Sequence, residues 1–176
     1  MLTSAITNLD VHDIARSART YGLAGYFLVS PIAAQRIIVE RILSHWRDGA
    51  GAVRTPERGD ALASVQAVTS VEAAEGLIHA RTGAAPTLVA TEARPEMASQ
   101  VVSYLDERRR LASATAPSLL LFGTAHGMHA SLLARVDRTL EPIFGPVAYN
   151  HLSVRAAAAV TFDRLFAPAR APEERA

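Results

Sequence analysis

Short apolar runs alternate with helical patterns along this chain, and the alternation limits the possible folds more than any other feature. The runs that predict strands lie at residues 25–30, 63–68, 86–91 and 119–122. The segments with helical spacing lie at residues 10–21, 31–46, 70–81, 96–111, 130–136 and from 150 onward. Alternating strands and helices with short joints are typical of a layered α/β fold with a mostly parallel sheet.

The length of 176 residues predicts one domain with a sizeable core. We expect that domain to comprise residues 1–166, followed by a flexible tail at 167–176 that is rich in proline, arginine and glutamate. Glycine, proline and charged residues at 49–59 predict an exposed loop. In the helix at 31–46 four apolar side chains are expected to face the core: Ile37, Ile38, Ile42 and Leu43.

Composition excludes several classes of protein. No apolar run approaches the length of a membrane span, and no basic region followed by an apolar core marks a signal peptide, so we expect a cytoplasmic protein. The absence of cysteine excludes disulfides, thiolate zinc sites and cysteine nucleophiles. A net charge of +1 is too small to indicate nucleic-acid binding by itself. All 18 basic residues are arginine, which suits phosphate recognition, but a biased codon supply explains the same usage.

A glycine turn follows the apolar run at 119–122. Gly123 and Gly127 are four residues apart, and glycine allows both a sharp turn and close approach of a ligand to the backbone. Ligands of parallel sheets bind at the carboxyl ends of strands, where this turn is expected to lie. Taken alone, the pattern also fits an ordinary joint between a strand and a helix.

The start of the last predicted helix carries polar residues. Asn150 is a suitable N-cap, and free backbone N–H groups at a helix start hold carboxylates and other polar groups. An ordinary cap explains this segment by itself. The glycine turn and the helix start together predict two halves of one ligand pocket.

The first predicted helix is the third informative segment. Asp10 is a candidate cap, and Asp13, Arg16 and Arg19 project from neighbouring turns before Gly22 ends the helix. The alternative is a capped surface helix with an Asp–Arg pair, which contributes only a few tenths of a kcal/mol, roughly, to stability.

These three segments resemble the SPOUT superfamily of trefoil-knotted methyltransferases. The resemblance is closest to a small bacterial family of S-adenosylmethionine-dependent RNA methyltransferases, related to and sometimes joined to tRNA guanine-N1 methyltransferase. The matching blocks are Thr7-Asn8-Leu9-Asp10, His12-Asp13-Ile14-Ala15-Arg16, Gly123-Thr124 and Tyr149-Asn150-His151-Leu152-Ser153-Val154-Arg155.

The sequence departs from the SPOUT pattern at several places. Asp10 stands where the ribose-methylating branch has an asparagine, no glutamate occurs in Gly123-Thr124-Ala125, and His151 replaces the asparagine of the third motif. Members of the closer family usually carry a further strand ahead of residues 3–8. Without such a strand, we expect an exposed sheet edge.

The resemblance implies S-adenosylmethionine as cofactor, tRNA or rRNA as substrate, a C-terminal trefoil knot and a homodimer, with no membrane or metal partner. It implies that the cofactor lies against Phe122, Gly123, Thr124, Ala125, Gly127, Leu140, Pro142, Ile143, Gly145, Tyr149, Asn150, His151, Leu152 and Ser153. The implied catalytic residues are Arg16, Asp10 and Asp13, and the implied RNA contacts are Asn8, His12, Arg19 and Arg155. The candidate dimer surface comprises Ala157, Ala158 and Val160.

Two other functional hypotheses stay open at this point. One is a catalytically silent SPOUT-like module that binds RNA or cofactor, and the other is a nucleotide-binding α/β protein without methyl chemistry. The spacing of His126 and His129 would suit a metal, but the metalloprotease arrangement of glutamate is absent and no cysteine is present. The absence of a Gly-x-Ser-x-Gly motif argues against a serine hydrolase. Arg155 is expected to face RNA phosphate or to pair with a carboxylate.

Overall fold

The computed structural model describes residues 6–92, 100–124, 127–147 and 149–168. The helices in these ranges are α1 (Asn8–Thr20), α2 (Ala33–Arg47), α3 (Ala50–Arg54), α4 (Pro56–Leu62), α5 (Val71–Thr82), α6 (Tyr104–Ser113), α7 (Ala130–Leu133) and α8 (Val154–Phe166). The strands are β1 (Tyr26–Val29), β2 (Val65–Val68), β3 (Thr87–Thr91), β4 (Val101–Val102), β5 (Ser118–Phe122) and β6 (Arg138–Leu140). No helix in the described ranges is long and apolar enough to cross a bilayer.

These strands form two sheets, and the ladders between them are parallel, which confirms the predicted α/β class. One sheet has the order β1-β2, and the other has the order β4-β6-β3-β5. In the larger sheet β3 pairs on one side with β5, from Thr87 opposite Ser118 onward, and on the other side with β6. The carboxyl end of β3 therefore lies between those of β5 and β6.

The two faces of β5 pack against different helices because successive side chains of a strand point to opposite faces. Leu120 packs in a cluster with Ile14 of α1 and Phe162 of α8. Leu121 packs in a second cluster with Val71 of α5 at its margin. Helices consequently cover the larger sheet on both faces, as expected for parallel strands.

Two predicted helix caps are wrong. Thr7 caps α1, while Asp10 completes a capping box by accepting a hydrogen bond from the Thr7 backbone. Ser153, rather than Asn150, caps α8, and its hydroxyl accepts the N–H of Ala156 at 3.3 Å. Several residues of capping type lie close together in both segments, and residue type alone does not choose among them.

Residues 49–59 were predicted to form an exposed loop, but they form parts of two short helices. Pro56 occupies the first turn of α4, where its missing N–H costs nothing. Leu62 of α4 is fully buried in a cluster with Val11 of α1. At Gly51 an added Cβ would lie 2.7 Å from the Trp46 indole. Packing against α1 and α2 therefore stabilises a segment whose composition resembles that of a loop.

The buried face of α2 also differs from the prediction. Val39 and Leu43 are fully buried and Ile42 is half-buried, whereas Ile37 and Ile38 are 53% and 52% exposed. Residues four apart share one face of a helix, so Val39 and Leu43 point together toward the core. The run of consecutive apolar residues in this helix surrounds its axis, and only one side can be inward.

The segment before α6 departs from the predicted helix at 96–111. Val101 and Val102 form strand β4, and Ser103 caps α6. Residues 96–99 lie outside the described residues. The three-residue strand β6 was not predicted, and α7 ends at Leu133, earlier than the predicted residue 136. Of the predicted tail, residues 169–176 also lie outside the described ranges.

Candidate functional site

Two loops flank the carboxyl end of the central strand β3. One follows β5 at Phe122, and the other follows β6 at Leu140. Because neighbouring strands lie about 4.8 Å apart, the two loops start about 10 Å from each other, with Glu92 following β3 between them. This edge of the sheet is where parallel α/β folds bind ligands.

The loop after β5 contains a closed glycine turn. Gly127 has φ +82° and donates its N–H to the Thr124 carbonyl at 3.1 Å. A Cβ on Gly123 would lie 2.9 Å from the carbonyl carbon of Gly127. Both positions therefore require glycine, one for its backbone angle and the other for the close approach of two backbone segments. Ala125 and His126 lie outside the described residues.

The structure adds Glu92 to this turn, a residue that the sequence analysis missed. A Cβ on Gly127 would lie 3.3 and 3.5 Å from the two carboxylate oxygens of Glu92. The glycine turn thus has a carboxylate beside it, although none occurs in its own sequence. The position of Glu92 directly after the central strand β3 was the signal that could have identified it.

The first part of the loop after β6 is divided between core and surface. Leu140 is fully buried in the cluster of Val89 and Tyr104, so its side chain is unavailable to a ligand at the surface. Ile143 packs partly against the same cluster. Pro142 is half-buried and Gly145 is exposed. Of these predicted cofactor contacts, Pro142 and Ile143 retain some accessible apolar surface.

The second part of this loop is more open. Tyr149 is 73% exposed, and its ring centroid lies 5.2 Å from that of His151. Leu152 is 49% exposed, Asn150 is half-buried, and Ser153 is occupied as the cap of α8. An exposed aromatic and apolar segment therefore precedes α8.

An ion-pair network joins the first and third sequence blocks. Arg155, near the start of α8, donates from Nη1 to Oδ1 of Asp10 at 2.7 Å, and its Nε lies 3.6 Å from Oδ2 of Asp13. The other oxygen of Asp10 accepts the Thr7 hydroxyl at 2.6 Å. Burial raises the pKa of the neighbouring Tyr26 phenol, and the Asp10 charge raises it further. Both oxygens of Asp10 are thus committed to contacts that fix α1 against α8.

Arg16 lies apart from this network. Arg16 is exposed, and it forms no ion pair within 4.0 Å with any residue that the structure describes. Arg16 and Arg58 of α4 both act on His12, whose pKa is lowered first by burial and then by Arg58, while Asp13 opposes the shift. The His12 ring meets the indole of Trp46 edge-on at 5.5 Å, and its buried Nδ1 has no hydrogen-bond partner among the described residues.

The predicted residues of α1 consequently separate into two clusters. The acidic cluster contains Asp10 and Asp13 with Arg155, and the basic cluster contains Arg16 with His12 and Arg58. Two further candidates lie exposed at opposite ends of the helix, Asn8 in the first turn and Arg19 in the last.

His129 has a local structural partner. Its Nδ1 lies 2.8 Å from the Ser131 hydroxyl and accepts the Ser131 N–H at 3.2 Å, which makes it the cap of α7. Within the described ranges no group of three or more histidine and acidic side chains is arranged to hold a metal ion.

Comparison with known proteins decides the family. Residues 1–167 match the family described as SAM-dependent RNA methyltransferase, in which SAM is S-adenosylmethionine. The chain belongs to this family. It is 46% identical over 165 residues to the tRNA (guanine-N(1)-)-methyltransferase of Oleidesulfovibrio alaskensis, and the match covers 94% of this chain and 38% of that protein. The chain thus spans little more than a third of the length of that relative.

Two solved structures share the fold. A putative methylase family protein from Neisseria gonorrhoeae superposes with a TM-score of 0.64 at 17% identity, covering 97% of this chain and 89% of that one. TrmJ from Z. mobilis ZM4, a SPOUT-type protein, superposes with a TM-score of 0.60 at 14% identity, covering 98% and 74%. These similarities confirm the predicted SPOUT-type α/β fold.

Proposed function

We propose that this protein transfers a methyl group from S-adenosylmethionine to a nucleotide of tRNA or rRNA. The observation that carries the proposal is the family match over residues 1–167, which spans every candidate site residue. The glycine turn at the carboxyl edge of the sheet supports it, because this is the expected ligand site of a parallel sheet.

The residues around the turn fit this cofactor. Gly123 and Gly127 allow a ligand to approach the backbone, and Pro142 and Ile143 offer apolar surface for an adenine ring. The Glu92 carboxylate at the turn complements a positively charged ligand. When bound, S-adenosylmethionine supplies an electrophilic methyl group on a sulfonium. The chain must hold the RNA nucleophile in line with that methyl group and accept one proton.

Asp10 and Asp13 have different roles in this proposal. Asp10 is a positioning residue because Thr7 and Arg155 occupy both of its oxygens. Asp13 is half-exposed and has a longer contact of 3.6 Å to Arg155, so its carboxylate remains available as a proton acceptor. Arg155 holds the two carboxylates together rather than contacting RNA phosphate.

The basic cluster on α1 and α4 supplies the RNA contact. Arg16 is exposed, and Arg58 lies close enough to lower the pKa of His12. Because burial keeps His12 neutral near pH 7, the two guanidinium groups carry the positive charge here. We assign Arg16 to phosphate binding or to orientation of the attacking atom, and Asn8, His12 and Arg19 to neighbouring RNA contacts.

The proposal includes a cytoplasmic homodimer of one-domain protomers, residues 1–166 each, with a C-terminal trefoil knot. Exposed apolar side chains in the loop before α8 support an interface: Phe144, Val147, Tyr149 and Leu152. Of the residues predicted to form this surface, Ala158 is fully buried in the core of its own protomer and cannot contribute. Ala157 and Val160 are half-buried. A light-scattering mass of one 18.8 kDa protomer at micromolar concentration would contradict the dimer.

Two measurements test this function. Calorimetric titration with S-adenosylmethionine should show binding, and labelled cofactor should transfer methyl groups to total RNA. Binding without transfer would indicate a catalytically silent module. If the titration shows no binding and the RNA receives no methyl group, the chain is an α/β protein with another ligand and the proposal is refuted.

A further inference from the structure

The basic cluster is assembled around Trp46, the only tryptophan of the chain, where α1, α2 and α4 meet. The guanidinium carbon of Arg58 lies 5.0 Å from the centroid of the indole, and the ring of His12 meets the indole edge-on at 5.5 Å. His45 precedes Trp46 on α2 and meets it edge-on at 5.3 Å, while its own side chain is exposed. One aromatic ring therefore holds side chains from three helices.

Two glycines allow the segment after α2 to fold closely against this ring. A Cβ on Gly49 would lie 2.7 Å from the carbonyl oxygen of His45, and a Cβ on Gly51 would lie 2.7 Å from the indole of Trp46. Any side chain at these positions would move the short helices α3 and α4 outward, and Arg58 with them. Glycine therefore stands where the backbone must come close enough to place Arg58 on the ring.

The basic cluster has no counter-ion of its own. Burial lowers the pKa of His12, and the nearby charges of Arg58 and Arg16 lower it further. Neither arginine forms an ion pair or a side-chain hydrogen bond with any residue that the structure describes. The carboxylate that opposes the shift of His12 belongs to Asp13, which lies 3.6 Å from Arg155. A half-buried cation without a partner is unfavourable, so this arrangement favours the binding of an anion.

A phosphate of unpaired RNA fits this site better than a phosphate of duplex RNA. Guanidinium groups donate paired N–H groups to phosphate oxygens. Trp46 and Arg58 are half-buried, so a base must leave its stack to reach them. The bases of a duplex stay stacked within it, whereas an unpaired nucleotide can place its base against a protein ring. A net charge of +1 also supplies few of the many phosphate contacts on which duplex binding depends.

We propose that the basic cluster binds one unpaired nucleotide of the RNA substrate. Its phosphate lies between the guanidinium groups of Arg16 and Arg58, and its base packs against the rings of His45 and Trp46. This inference rests on the proposed function, because it names the part of the RNA that the same site recognises. Arg16 is three residues after Asp13 on α1, so the two side chains are neighbours on the helix surface. The nucleotide held here is therefore next to the one that receives the methyl group.

The fluorescence of Trp46 tests this proposal in the 176-residue chain, because no other tryptophan contributes to the signal. The probe is a single-stranded RNA of about eight nucleotides, and the same strand paired with its complement is the comparison. Both are titrated without S-adenosylmethionine, and the anisotropy of an end-labelled copy measures total binding. Arg58→Gln and Arg16→Gln alter the site. Arg41→Gln is the matched control, because Arg41 is exposed on another face of α2 and forms no ion pair with a described residue.

We expect the single strand to change the fluorescence of Trp46 and to bind at least about tenfold more tightly than the duplex. Arg58→Gln and Arg16→Gln should each weaken this binding about tenfold, whereas Arg41→Gln should weaken it less than about twofold. Arg16 is exposed and free of contacts, so its variant should fold even if the loss of Arg58 from the ring destabilises the other one. Melting curves of all three variants check this.

Three results would overturn the proposal. The first is binding of the duplex as tight as that of the single strand, or no binding of the single strand. The second is an equal loss of affinity in Arg41→Gln, which would indicate attraction by overall charge. The third is binding that changes the anisotropy but not the fluorescence of Trp46, which would place the RNA elsewhere. Because no methyl transfer is measured, these results refute the nucleotide site without refuting the proposed function, and an inactive chain that passes the test keeps the site.

Discussion

Replacement of Gly127 by valine tests the assignment of the cofactor to the glycine turn. The residue has φ +82°, a backbone angle that costs a residue with a side chain about 1–3 kcal/mol. The added Cβ would also lie 3.3 Å from a Glu92 oxygen, so the carboxylate or the turn must move. Since 1.4 kcal/mol corresponds to a factor of ten, we expect Gly127→Val to weaken S-adenosylmethionine binding about 10- to 100-fold.

Isothermal titration calorimetry measures this effect, and Gly83→Val is the matched control. Gly83 has φ +75° at the end of α5, with no atom within 4 Å of an added Cβ. The control should therefore lose similar stability while binding the cofactor as the unaltered protein does. If Gly127→Val binds S-adenosylmethionine with unchanged affinity, the turn is not the cofactor site.

The other predictions concern the two clusters on α1 and one buried carboxylate. Arg16→Ala should change the free energy of unfolding by less than about 0.5 kcal/mol but reduce single-turnover methyl transfer about 100-fold, and an active variant would exclude a catalytic role. Burial lowers the pKa of His12 from 6.5, so the unfolded chain binds this proton more readily and stability is lost as pH falls below 6.5 through the folded-state pKa. His12→Gln should accordingly lose less stability in that range than the unaltered protein, and equal losses in calorimetric melts would argue against the shift. Glu107 is fully buried between Arg110 and Arg138 at 2.6 and 2.7 Å, so Glu107→Gln should lower the free energy of unfolding by about 3 kcal/mol in denaturant titrations. A loss below about 1 kcal/mol would show that the two ion pairs of Glu107 contribute little to stability.

The strands and the main helices could be predicted because local patterns encode them. An apolar run between Pro117 and Gly123 marks β5, and Ser70 before a helical pattern marks the start of α5. The short elements could not be predicted in this way. Strand β6 has three residues, and α4 depends on the burial of Leu62 against α1, which is a tertiary contact.

The candidate site was predicted in part. The glycine turn and the polar segment before α8 follow from residue type and order, and Gly127 has the backbone angle that only glycine adopts easily. The partner of Arg155 could not be foreseen, because Asp10 is 145 residues away in sequence. Glu92 directly follows a predicted strand, which was a signal, but only the order of strands in the sheet shows that this strand ends beside the turn.

Methyl transfer to RNA tests the central claim most directly. Purified protein, S-adenosylmethionine labelled in its methyl group and unmodified tRNA or rRNA would be incubated, and the RNA digested and separated by mass spectrometry. The account predicts one labelled nucleoside, formed in lower yield in a parallel reaction with Gly127→Val at a cofactor concentration that does not saturate the variant. The account would be contradicted if the RNA stayed unlabelled with enzyme in molar excess over RNA, under conditions where calorimetry shows that the cofactor is bound.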